Sequence, residues 1–71
     1  MTSRDEDKLR ALLPHWIEHN GEHAAEVRAW AEKARAAGWP EAAEEIDTAA
    51  KELGWVNESL NAALEKLSEP A

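Results

Sequence analysis

The sequence predicts an all-α protein, an antiparallel α-hairpin that pairs into a four-helix bundle. Three observations predict it. Strong helix formers (Ala, Glu, Leu, Lys and Arg) dominate the 71 residues, while β-branched residues are few and never alternate with polar ones. Apolar residues recur at alternating steps of four and three through both halves of the chain. The clearest punctuation, Ala37-Gly38-Trp39-Pro40, lies between those halves. The length allows one small domain over residues 1–71.

The first element opens on Ser3-Arg4-Asp5-Glu6, which reads as a capping box: Ser3 accepts from the amide of Glu6, and Glu6 reaches back to Ser3. Asp5, Glu6 and Asp7 suit the positive end of the helix dipole. Pro14 removes one helical hydrogen bond and crowds the preceding turn. The apolar phase nevertheless crosses it without a slip, through Leu9, Leu13, Trp16, Asn20, His23, Val27, Trp30, Ala34 and Ala37. We expect a helix over about residues 4–37, kinked or broken at Pro14. Gly21 weakens it by up to ~1 kcal/mol relative to alanine.

Gly38 is placed to take the left-handed cap that ends a helix, and Pro40 suits the first turn of the next. So short a connection makes the helices antiparallel neighbours. The second helix, over about residues 40–68, repeats the phase through Ala42, Ile46, Ala49, Leu53, Val56, Leu60, Ala63 and Leu67. Small positions alternate with large ones, which lets two backbones approach closely. Ser68-Glu69-Pro70 ends it, because the residue before proline is pushed out of helix. Folding at Gly38–Trp39 pairs positions whose numbers sum to about 76. On this seam Asn20, His23 and Asn57 form a polar middle layer.

Leu12, Ile17, Trp39, Trp55 and Leu64 fall off the expected seam. A chain this short cannot bury both sides of two helices, and its core alone rarely supplies more than a few kcal/mol. A homodimer is the natural remedy, with Leu12, Ile17 and Trp55 as candidate interface residues. With four Trp and no Phe or Tyr, tryptophan must supply much of the large apolar volume.

Composition excludes several function classes. The net charge of −7 argues against nucleic acid and against anionic lipid. Residues 38–71 carry two Lys/Arg against eight Asp/Glu, so any other protein bound there is expected to be basic. No cysteine is present, so no disulfide or thiolate site exists. No apolar run is long enough to cross a membrane, and the first ten residues lack the basic-then-apolar order of a signal peptide. A cytoplasmic protein is the expectation.

The chemical candidate is a stripe: His15, His19 and His23, each followed three residues later by Glu18, Glu22 or Glu26. Residues four apart stack on one helix face. Two imidazoles one turn apart can share a metal ion, but His15 and His23 are separated by about 12 Å of rise and cannot join the same one. The remaining ligands must come from water or a second chain. Zn, Ni, Co, Cu or Fe would all accept imidazole. In this reading His15, His19 and His23 supply the metal ligands, while Asn20, Asn57, Glu22 and Glu26 orient the rings. The competing reading makes the His/Asn layer a polar device that sets helix register in a structural or protein-interaction hairpin. HExxH, the Glu-x-x-His of di-iron bundles, zinc-finger patterns, phosphate loops and nucleophile triads are all absent. An enzyme is therefore not expected; storage, sensing or delivery of metal fits the stripe better.

Leu13-Pro14-His15-Trp16-Ile17-Glu18-His19-Asn20, with Glu22-His23-Ala24 and Arg28-Ala29-Trp30-Ala31, resembles a motif of small uncharacterised prokaryotic helical-hairpin proteins. The likeness covers about residues 12–31. It implies a natural helical protein and brings no assigned activity with it.

Overall fold

The computed structural model describes residues 4–68 and consists of two helices, α1 (Arg4–Ala36) and α2 (Pro40–Ser68). They lie side by side as a hairpin measuring 57 × 15 × 12 Å. No strand occurs among the described residues. The Ser3 capping box and the stop at Pro70 lie outside them.

α1 runs through Pro14 as one helix, so the reading with a break there is set aside. Pro14 is exposed, where its missing amide and its ring are easiest to accommodate. Acidic residues fill the first turn of α1, and Lys33 and Arg35 its last, both matching the helix dipole. The turn is a Schellman cap. The Trp39 amide donates to the Ala34 carbonyl at 2.9 Å, and the Gly38 amide to the Arg35 carbonyl at 3.1 Å. This geometry needs a left-handed residue, and Gly38 supplies it with φ of 93°. The Ala43 amide donates to the Trp39 carbonyl at 3.0 Å, which opens α2 with Pro40 as its first helical residue.

The register agrees with expectation. Asn20 bonds Asn57, and the Arg10 guanidinium donates to the Leu67 carbonyl at 2.6 Å. The rotation of each helix differs. Leu13, Asn20, Val27 and Ala34 face α2 as predicted, but their partners in the seam are Ile17, Ala24 and Ala31, not Trp16, His23 and Trp30. On α2 the seam holds Ile46, Leu53, Leu60 and Leu67 as predicted, joined by Ala43, Ala50, Asn57 and Leu64 in place of Ala42, Ala49, Val56 and Ala63. Both helices are turned by one residue at every second seam position.

The reason is size. Ala31, Ala43 and Ala50 are wholly buried and Ala24 nearly so. Backbones that close leave no room for an indole between them, so Trp16 and Trp30 are displaced to the side, at 41% and 56% exposure. The register sets Ala24 against Leu53, Val27 against Ala50 and Ala31 against Ile46, one small residue in each layer.

The glycines test this account of the backbone. Gly38→Ala should cost about 1 kcal/mol or more, because the Schellman turn holds it in a left-handed conformation. A Cβ at Gly21 or Gly54 would meet no atom within 4 Å. Gly21→Ala and Gly54→Ala should therefore each add about 0.4–1 kcal/mol in urea denaturation.

Candidate functional site

The histidines all lie on the outside of α1. His15 and His19 come together: their rings stack with centroids 6.3 Å apart and planes within 17°. They line a shallow depression of about 130 Å³ with Glu18 and Glu22. His23 belongs elsewhere. It was expected inside the seam, but Ala24 holds that place, and the His23 side chain is 57% exposed with Nδ1 4.0 Å from Glu26 Oε2. Among the described residues no three His, Asp or Glu side chains converge on a point that could hold a metal. The stripe is thus a pair plus one, and the pair is His15/His19.

Asn20 and Asn57 were expected to orient imidazoles; they bond each other instead. Asn20 Nδ2 donates to Asn57 Oδ1 at 3.1 Å, and Asn57 Nδ2 donates to the Ile17 carbonyl at 3.0 Å. Both side chains are part-buried, so each bond removes a polar group from competition with water. Their layer bridges the two helices midway along the seam. Ile17, expected on an outer interface, sits half-buried in the seam beside them. Leu12 is 39% and Trp55 57% exposed, as expected of surface positions.

The two flanks of the seam differ. One carries Arg35, which follows Ala34, and Asp47, which follows Ile46, joined at 2.7 Å. Glu32 also accepts from Arg35. The hydrogen bond to Asp47, offset by some desolvation and helped by Glu32, raises the Arg35 guanidinium above its ordinary range. This pair shows that residues just after seam positions meet on one flank. By the symmetry of an antiparallel pair, residues just before Ile17, Ala24 and Ala31 share the other flank with those just before Ala43, Ala50 and Asn57. That second flank carries Trp16, His23 and Trp30 on α1 and Ala42, Ala49 and Val56 on α2.

All six are exposed. The residues expected to form the core therefore form a second apolar face, uncovered and contiguous with the first. Sequence reasoning missed it because it took one face for the other. The signal was present: three apolar positions per seven, not two, mark a helix that serves two seams. Lys33 Nζ caps the outer edge, 4.2 Å above the Trp30 ring.

Fold and site together define a helical hairpin with one closed seam and one open apolar face. The chain belongs to the family described as a domain of unknown function, DUF8180, whose model matches residues 9–67. That span begins at Leu9 and ends at Leu67, the outermost apolar positions of the pattern. No curated protein and no solved structure matches the chain. No helix among the described residues is long and apolar enough to cross a membrane.

The Asn pair gives a direct test of the polar layer. Asn57→Ala should cost about 1–2 kcal/mol in urea denaturation, since it strands the Asn20 amide. Leucine at both 20 and 57 should raise the melting temperature instead, while loosening the choice of register, seen as broadened amide resonances.

Proposed function

We propose that the chain is a protein-interaction hairpin, whose working surface is the open face carrying Trp16 and Trp30. One observation carries the reading: the inside is too small for the outside. Among the described residues the buried ones are Leu13 and four alanines, and no large side chain is fully buried. Trp16, Trp30 and Val56 meanwhile stand 41–56% exposed on one flank. Covering that flank would take the exposed surface of both indoles and of Val56 out of water, and burial is worth about 25 cal/mol per Å². A chain built this way is completed by a partner.

The test is stability at high dilution. At about 100 nM and without a partner, the chain should melt below about 45 °C, under the usual mesophile range. A hairpin that holds its full helix content above about 65 °C at that dilution needs no partner, and the reading fails.

The stacked His15/His19 pair favours a second reading beside this one, in which the hairpin also stores, senses or delivers a divalent transition metal. Two imidazoles one turn apart make a clasp with open coordination positions, and Glu18 and Glu22 add negative charge around it. Such a clasp holds an exchangeable ion, not a structural one. Zn, Ni, Co, Cu and Fe all suit it, with Cu²⁺ bound tightest. Uptake should be lost in acid, because imidazole binds metal only when unprotonated. Fluorescence of Trp16, next to His15, reads it. His15→Ala or His19→Ala should weaken Cu²⁺ binding at least about tenfold, roughly 1.4 kcal/mol, and His23→Ala should leave it unchanged. Equal binding by all three variants sinks the clasp.

A further inference from the structure

We infer that the open face is covered by a second copy of this chain, with α1 of each copy seated on α2 of the other. The inference rests on the interaction reading above and names its partner.

The chemistry of the face selects the partner. From Leu9 to Leu67 the open flank carries no Asp, Glu, Lys or Arg, and the seam positions beside it carry only Arg10, at the end of the hairpin away from the turn and bonded to the Leu67 carbonyl. The chain's fifteen acidic residues and its other seven basic ones fall elsewhere. A basic protein would find nothing to pair with here. The occupant must be equally apolar, and this chain carries such a face.

The shape of the face selects the arrangement. α1 contributes a ridge, Leu9, Trp16, His23 and Trp30, and α2 a channel, Ala42, Ala49, Val56 and Ala63. A two-fold axis along the hairpin sets ridge into channel twice. It keeps heights along the axis unchanged, so the Trp16 of one copy meets the other near Ala63, and the Trp30 near Ala49. Every helix then lies antiparallel to both neighbours, as in an up-down-up-down bundle. The perpendicular axis would drive tryptophan ridge against tryptophan ridge and leave both channels empty. The area suffices: a face of 57 by 15 Å is about 850 Å², near the ~800 Å² per partner of a stable interface.

The chain lacks cysteine, so one label can be placed cleanly at Glu41→Cys, an exposed position beside the turn. The inference expects a sedimentation mass twice 7.9 kDa at micromolar concentration. It expects a melting temperature that rises with concentration. Spin labels at position 41 should lie within roughly 30 Å of each other, because both turns share one end and neighbouring helices are ~10 Å apart. Acrylamide should lose access to Trp16 and Trp30 on association but not to Trp55. Salt should strengthen the dimer, since each copy carries −7 and the face carries none of it. Ala49→Arg should weaken association at least about tenfold.

A label separation near the full 57 Å length means α1 lies on α1, and overturns the arrangement. Protection of Trp55 in place of Trp16 and Trp30 overturns the face. A monomeric mass with concentration-independent melting overturns the second copy. If that monomer is also marginal at about 100 nM, the interaction reading stands with another partner; if it is stable there, both fall together.

Discussion

The close approach of two helix backbones along an alanine seam is the constraint on which everything else depends. Ala24, Ala31, Ala43 and Ala50 let α1 and α2 come near enough to bury those methyls almost completely. Close approach fixes the rotation of each helix, because nothing larger fits at those four positions. Rotation in turn decides which residues are left outside. Trp16 and Trp30 are not outside for lack of hydrophobicity. They are outside because the seam has no space for an indole.

Much of this was legible in the sequence. Helix extents, the glycine turn and the antiparallel pairing follow from signals with a single physical meaning, while the polar middle layer was legible only in part, since Asn20 and Asn57 are in it and His23 is not. Gly38 between Ala37 and Trp39-Pro40 has few alternatives to a left-handed cap. Rotation was not legible by the same route. The phase Leu13, Asn20, Val27, Ala34 can be completed on either side, by Ile17, Ala24 and Ala31 or by Trp16, His23 and Trp30. Both choices keep the steps of four and three. Ranking by hydrophobicity favours the tryptophans, whereas ranking by packing favours the alanines. The structure follows packing, with the same one-residue turn repeated on α2.

That turn also rearranges the histidines. A stripe at steps of four drifts around a helix whose seam repeats every 3.5 residues. His15 therefore falls at the back of α1, His19 between back and flank, and His23 on the open flank itself. One motif is divided between two environments. The stacked pair looks onto water between two glutamates, while His23 stands between Trp16 and Trp30 on the apolar face. Even spacing in sequence thus did not mean one shared role in space.

The distribution of charge completes the argument. A chain that is 32% charged has many chances to place a charge on any given face. Between Leu13 and Leu64 the seam excludes charge, with polar Asn20 and Asn57 bonded to each other, and only at its open end does Arg10 reach the Leu67 carbonyl. The open flank has no such need within one chain, because water would solvate a lysine or glutamate there at little cost. On the other flank the same chain does place charges, and Arg35 and Asp47 pair across it. Two flanks of one hairpin are therefore built by different rules. One is built for water. The other carries the composition of an interior, with tryptophan, valine and alanine where the first has arginine and aspartate.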